Sequence, residues 1–371
     1  VRLVGSEMCI RDSMQTVAEV ARVKKATGKV VRDPARERAV VNRVTAQAGD
    51  AFAPYVKNLY GLIFELSLNY ESMLMGERSP LGDRIEQACR EGEGKRLPGR
   101  ALVACQGTEG AYAQQACEKL FEYPDILYFD SFDGVFNAVE KGMCEFGVLP
   151  IENSSTGSIR QVYDLLAQYE YYIVGEWQVK VEHCLTALPG VKLEELCTVY
   201  SHEQGLMQCE AFLDTHRDWK RVPALDTAGS AKQVAETGDR TAAAICSRRA
   251  ARRYGLEILA EGINYNRENY TRFVLVSPVM ELRAGRDTIS ALFRLPHQSG
   301  SLHEILTVFS VQGLNLEKLE SRPIPGRGWE YLFFLEFSGD LAAPGMDGVL
   351  QELGQLSSQF RVLGNFRGYR P

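Results

Sequence analysis

The stretch GINYNRENYTRFVLVS, Gly262 to Ser277, decides how the chain is read. Its first half is polar. Its second half, Phe273-Val274-Leu275-Val276, is a continuous, β-branched apolar run that predicts a short buried strand. Thr271 and Arg272 therefore stand where a loop enters a core strand. A rigid strand end suits a hydroxyl donor and a guanidinium that hold a small anion. The plainer reading is a loop arginine paired with a nearby carboxylate, beside a threonine that caps the strand.

Composition narrows the classes. At 371 residues the chain exceeds one ordinary core, so two or three domains are expected. The content of 45% hydrophobic and 24% charged residues is a soluble globular balance. A net charge of -6 gives no reason to expect a nucleic-acid partner. No apolar run approaches a membrane span. Nine scattered cysteines, an odd number without a secretory signal, predict reduced thiols in a cytoplasm. Only five histidines occur, and no His or Cys pair has metal-ligand spacing, so neither a metal nor another cofactor is expected.

Upstream of the opening stretch, strand and helix alternate. Ala101–Cys105 is a strand, followed by the glycine-rich turn Gln106–Gly110 and a helix. That turn is neither GxGxxG nor a P-loop, so nucleotide binding is a weak reading. Phe132–Lys141 reads as a helix and Phe146–Ile151 as a buried strand. The polar run Glu152–Ser158 comes next, ahead of a helix with Ile159, Val162, Tyr163, Leu166 and Tyr169 on one face. Its Ser and Thr are expected to cap that helix, but capping does not explain Glu152-Asn153. Further strands and helix starts follow at 185–188, 199–204, 226–231 and 242–247. The pattern predicts two α/β lobes, with crossings near 176–184 and 262–270 and a ligand in the cleft between them.

Five segments in order, GVLPIENSSTGSI, SHEQGLMQC, DTAGSAK, AAICS and ENYTRFVLVS, resemble the successive motifs of prephenate dehydratase. The resemblance spans about residues 101–280 and implies a two-lobed fold like that of periplasmic binding proteins. Prephenate loses its ring carboxylate as CO2 and its ring hydroxyl as water, and the ring becomes aromatic. Such a site needs groups that fix two carboxylates and a donor to the departing hydroxyl. The resemblance implies Thr271 at that hydroxyl, and Arg272 orienting a carboxylate or bracing the loop. It implies Glu152, Asn153, Ser201 and Gln208 completing the cleft, with Ser154 and Phe273 in support. His183 and His202 are tempting acids, but each is read as structural.

At the start of the chain, Val1–Ser13 fits no later pattern and reads as a non-native leader. Helices are expected from Met14 to Gly28, from Asp33-Pro34 to about Ala48, and from about Pro54 to Met75. Three helices alone bury little, which favours an antiparallel dimer. The segment EVARVKKATGKVVRDPARERAVVNRV resembles the second half of an all-helical chorismate mutase domain, over roughly residues 14–76. That implies Lys24, Asp33, Arg36, Glu37, Ser67 and Glu71 as site residues; solvated helix faces are the alternative. Glu71 stands where many relatives have Gln, which implies better turnover at lower pH. Arginines that the family takes from its first helix are missing here, with Ser13 at one such position. Impaired mutase activity is expected of the chain as given.

Residues 77–100 read as a linker with one short helix. From 287 to 371 the order becomes strand (288–295), helix (299–312), strand (315–322), turn (323–328), strand (329–337), helix (346–360) and strand (361–366). That is the α+β, ferredoxin-like βαββαβ arrangement. It lacks a catalytic constellation, which points to binding or dimerisation. SGSLHEIL and NLEKLESRPIPG resemble the ligand motifs of an ACT regulatory domain. By that resemblance Ser299, Gly300, Ser301, Leu302, Glu320, Ser321, Arg322 and Pro323 would bind L-phenylalanine at a dimer interface. The plainer reading is a turn glycine and a structural salt bridge.

Together these segments resemble the P-protein family: chorismate mutase, prephenate dehydratase and ACT domain in one multidomain chain. The resemblance implies a cytoplasmic homodimer or dimer of dimers acting on chorismate and prephenate, inhibited by L-phenylalanine, with no nucleic-acid or membrane partner. An arogenate dehydratase shares the motifs and remains open. So does a two-lobed amino-acid sensor without catalysis.

Overall fold

The structure, a computed structural model, describes residues 4–28, 33–75, 79–92, 95–324 and 330–369. The chain divides into two compact units, residues 1–87 with 291–361 and residues 88–290 with 362–371. The first begins with α1 (Val4–Thr27), α2 (Pro34–Ala48) and α3 (Ala53–Met75), and both α1 and α2 pack on α3. Helix α1 starts at Val4, inside the segment read as a leader. Asp33 caps α2 as expected, accepting from the Arg36 amide at 3.1 Å, with Pro34 at the first helical position. Several large apolar side chains of these helices stay exposed, among them Val23, Tyr55 and Leu59. The linker carries α4 (Pro80–Gly92).

The second unit holds β1 (Arg100–Gln106), α5 (Tyr112–Leu120), β2 (Tyr123–Phe129), α6 (Phe132–Glu140), β3 (Phe146–Asn153), β4 (Gly157–Ser158), α7 (Arg160–Gln168) and β5 (Tyr172–Lys180). It continues with β6 (Cys184–Ala187), β7 (Thr198–His202), α8 (Glu203–Gln208), α9 (Glu210–Leu213), β8 (Lys220–Ala224), α10 (Thr227–Thr237), β9 (Ala242–Cys246), α11 (Arg248–Arg253), β10 (Glu257–Ala260) and β11 (Tyr270–Ser277). One sheet runs β2-β1-β3-β11-β5, with β4 on β3; the other runs β10-β6-β9-β7-β8. These are the two expected lobes. The chain crosses between them after β5 and returns before β11. Each lobe has its own apolar core.

Five strands escaped the sequence reading: β2, β4, β5, β8 and β10; the crossing read at 176–184 begins only after β5 ends at Lys180. Strands β2, β5, β8 and β10 lie at sheet edges, and β4 is a two-residue strand paired with β3 alone. An edge strand buries little, and β2 and β8 carry Pro124 and Pro223, which only an edge tolerates well. A second correction concerns Ser154–Thr156. These residues form the turn of the β3–β4 hairpin. Helix α7 begins later, with Ile159 at its N-cap and no side-chain cap bond. Glu152 and Asn153 thus belong to the strand itself.

The last segment contains β12 (Thr288–Arg294), α12 (Ser301–Val311), β13 (Leu316–Pro323), β14 (Tyr331–Ser338), α13 (Met346–Leu356) and β15 (Gln359–Phe366). The βαββαβ order matches the expectation, and the sheet runs β13-β14-β12-β15. Helix α13 ends at Leu356, so Gln359 and Phe360, expected in that helix, start β15 instead. The turn read at 323–328 and the strand start at 329 fall largely outside the described residues. Helix α3 packs on α13 within the first unit. Among the described residues no helix is long and apolar enough to cross a membrane.

Candidate active site

A cavity of about 490 Å³ opens between the two lobes of the second unit. Asn153, Thr271 and Phe273 line it from one lobe; His202, Gln208 and Asp226 line it from the other. His183, on the first crossing, also faces it. Among the described residues no lysine or arginine lines this space. The first residues of α5, α6 and α10 do, with Gln204 and Gly205 of α8. Helix starts carry N–H groups and the positive end of the helix dipole, which favour an anion. Here Ser131, His202 and Asp226 cap α6, α8 and α10, Asp130 and Asp226 add carboxylates to the wall, and α5 alone of the four has no side-chain cap. Asp226 caps α10 through Oδ1, which accepts from the Gly229 amide at 2.7 Å and the Thr108 hydroxyl at 3.3 Å. Its Oδ2 is buried and accepts no hydrogen bond from any described residue.

A line of side chains beneath the cavity has a definite polarity. Asn153 Oδ1 accepts from the backbone amides of Ser155 and Thr156, at 3.0 and 3.1 Å. Backbone N–H groups only donate, so this turn fixes which end of the Asn153 amide is oxygen. Its Nδ2 then donates to Thr271 Oγ1 at 2.9 Å and to Asn269 Oδ1 at 2.8 Å. Asn269 Nδ2 donates to Gln208 Oε1 at 3.0 Å. Gln208 Oε1 lies 3.0 Å from His183 Nε2. An oxygen cannot donate, so Nε2 carries the proton and Nδ1 is the acceptor, 3.3 Å from the Tyr112 hydroxyl. Burial pushes His183 down to about 4, against a smaller upward push from the Gln208 bond, so the ring is neutral near pH 7. Thr271 accepts from Asn153, and its own proton is therefore free for a molecule in the cavity.

Several expected site residues lie elsewhere. Successive residues of a strand face opposite sides. Thr271 and Phe273 look into the cavity, and Arg272 looks away from it. Arg272 forms a buried ion pair with Glu176, whose other oxygen accepts from the Tyr369 amide. In this geometry Arg272 ties β11 to Glu176 of β5. Glu152, opposite Arg272 in the register of β3 and β11, does not line the cavity either. Ser201 is fully buried, donating to the Ile245 carbonyl at 2.8 Å. Ser154 ties the turn to β11, accepting from the Tyr270 amide at 2.9 Å. Asn269 and Tyr112 were not anticipated, and His183 and Asp226 carry more than the sequence suggested. A lone Asn or His has no local pattern to mark it; only the meeting of four segments makes the network.

In the first unit Lys24 and Glu71 meet, Nζ to Oε1 at 2.8 Å, with Glu71 buried. Asp33 is occupied as a cap, Arg36 is exposed, and Ser67 donates to its own helix at the Ile63 carbonyl. Glu37 is half-buried on the first turn of α2. Ser299 to Leu302 stand at the start of α12, where Gly300 takes φ 95, a conformation that disfavours any side chain. Glu320 to Pro323 close β13, an edge strand in which no residue is fully buried.

Residues 103–281 match the prephenate dehydratase family and residues 9–72 the type II chorismate mutase family. Over 365 residues the chain is 31% identical to the bifunctional chorismate mutase/prephenate dehydratase of Escherichia coli K12, covering 96% of this chain and 90% of that one. It is 39% identical over 278 residues to the chloroplastic arogenate dehydratase/prephenate dehydratase 2 of Arabidopsis thaliana, covering 72% and 73%. A crystal structure of prephenate dehydratase from Arthrobacter aurescens, in complex with L-Phe, superposes with a TM-score of 0.65 at 29% identity, covering 71% of this chain and 89% of that one. The two-lobed domain is thus of the prephenate dehydratase class. With the helical segment added, the chain belongs to the bifunctional chorismate mutase/prephenate dehydratase family.

Proposed function

We propose that the cavity converts prephenate to phenylpyruvate, with loss of CO2 and water, and that L-phenylalanine inhibits the reaction. The observation that carries this reading is Thr271, whose hydroxyl accepts from Asn153 and keeps its proton for the cavity. Departure of the ring hydroxyl develops negative charge on that oxygen. A donor already aimed at it lowers the barrier without reorganising. The uncapped start of α5 offers backbone N–H groups to a carboxylate, and Gln208 adds a side-chain amide. Aromatisation as CO2 leaves drives the step. The test is direct: purified chain and prephenate, phenylpyruvate followed with and without L-phenylalanine. No turnover by the folded chain ends this reading.

Arogenate is the second reading, and Asp226 supports it. Arogenate carries an ammonium where prephenate has a keto group. The unpaired Asp226 Oδ2 in the cavity wall is a partner for such a cation. Comparing kcat/KM for the two substrates decides between them.

The Lys24–Glu71 pair supports a chorismate mutase site in the helical segment. For both side chains to reach the ether oxygen of chorismate, the pair must part on binding. The βαββαβ segment is read as a ferredoxin-like ACT domain. Its edge strand β13 offers unpaired backbone groups to a second copy, and the exposed apolar side chains of α1 to α3 offer another contact, both supporting a homodimer. The resemblance of SGSLHEIL and NLEKLESRPIPG to ACT ligand motifs supports an L-phenylalanine site that includes Gly300 and Arg322.

A further inference from the structure

We propose that His183 is a positioning residue for the dehydratase reaction: as the neutral Nε2–H tautomer it holds Gln208 in the one orientation that turns the Gln208 amide nitrogen toward the substrate. The geometry works from two ends. At one end the Ser155 and Thr156 amides set Asn153, and Asn153 sets Asn269. At the other end, His183 Nε2–H and Asn269 Nδ2 both donate to Gln208 Oε1. Two donors on one oxygen leave the amide no flipped state of equal energy. Its Nε2 makes no hydrogen bond to any described residue and belongs to a side chain that lines the cavity.

His183 is suited to this task. It is 3% exposed, its backbone amide is tied to Asn264 Oδ1 at 3.1 Å, and its ring meets Tyr112 edge-on with centroids 5.8 Å apart. The Tyr112 hydroxyl stays protonated, pushed well up chiefly by burial, and donates to the Glu182 carbonyl at 2.8 Å or to His183 Nδ1. Every strong neighbour of the ring therefore favours a proton on Nε2 and none on Nδ1. The consequence for the cavity is that Thr271 and Gln208, on opposite lobes, both present hydrogen to one anionic substrate. A ring with its proton on Nδ1 would set Nε2 against Gln208 Oε1, oxygen facing a bare nitrogen lone pair. The glutamine would then turn over and aim its oxygen at the substrate. This inference rests on the dehydratase reading for its catalytic meaning, though the tautomer itself does not.

The first measurement is a long-range proton–nitrogen spectrum of the full chain labelled with 15N-histidine, at pH 7. The His183 signals are assigned by their loss in His183→Asn. We expect a protonated Nε2 and a bare Nδ1; a proton on Nδ1, or a cationic ring, overturns the proposal. The second is kinetic. His183→Phe keeps a ring and removes the donor; kcat should fall at least ~10-fold, and His183→Gln, which restores a donor, should recover part of it. Adding Gln208→Leu to His183→Phe should cost far less than Gln208→Leu in the parent, since the two residues act as one unit. Independent, multiplying losses refute the positioning role. If His183→Phe does not fold, the spectrum and His183→Gln decide. A parent chain inactive on both prephenate and arogenate counts against the dehydratase reading, and the spectrum still judges the tautomer.

Discussion

Arg272 and Glu176 form a buried ion pair on the face of β11 that Thr271 does not share. Their side chains are 13% and 4% exposed. Removing one partner strands the other charge out of water. We expect Arg272→Met or Glu176→Leu alone to lower unfolding stability by about 3–5 kcal/mol, and the double replacement to recover much of it. Denaturant unfolding measures this. A stable Arg272→Met chain with a raised KM would restore Arg272 to the substrate.

Thr271→Val removes the hydroxyl at nearly constant shape. We expect kcat to fall by about 10²–10³, with a melting temperature close to the parent's, while Thr271→Ser keeps much of the rate. Steady-state kinetics on prephenate decides, and a Val variant within a few-fold of the parent removes Thr271 from the chemistry.

Asn153→Asp tests the polarity beneath the cavity. The second carboxylate oxygen would face Asn269 Oδ1 and the Tyr270 carbonyl, acceptor against acceptor. A loss of about 1–3 kcal/mol in stability is expected, together with a large loss of turnover. A fully stable variant would show that the amide polarity is not as described.

The depressed His183 makes stability depend on pH. Its folded value is about 4 and the unfolded value about 6.5, so the unfolded chain takes up the proton first. The contribution is fully present above about pH 6.5 and is lost as pH falls toward about 4. Between pH 7 and pH 5 the loss is about 2 kcal/mol. Urea unfolding at both values should show a pH dependence smaller by that amount in His183→Gln. Equal slopes would mean that the ring is not held neutral.

Gly300 occupies a left-handed backbone position at the start of α12. Gly300→Asp strains that turn and Arg322→Ala removes a cation, and each should raise the phenylalanine concentration for half-inhibition at least ~10-fold. Inhibition assays against the parent test it, and unchanged curves move the effector site elsewhere.

Local pattern was enough for much of this molecule. Buried strands such as β3, β9 and β11 announce themselves by continuous apolar runs, and the Asp33-Pro34 start of α2 by its residue types. The two crossings, the βαββαβ order and the place of Thr271 and Asn153 at the cleft were legible for the same reason. Strands β2, β5, β8 and β10 were not, because an edge strand is held by its neighbour and carries a weaker apolar signal of its own.

The amino-acid sequence by itself determined the family, the two lobes and the hydroxyl at the strand entrance, since these follow from short-range periodicity and ordered motifs. Only the tertiary structure decided what the polar residues do. Glu152, Ser201 and Arg272 share motifs with the cavity residues, yet alternation along β11 turns Arg272 away, the register shift between Pro150 and Glu152 sets Glu152 opposite Arg272, and close packing buries Ser201. Asn269, Gln208 and His183 come from segments far apart in the chain, and the direction of their hydrogen bonds exists only once folding sets donors against acceptors.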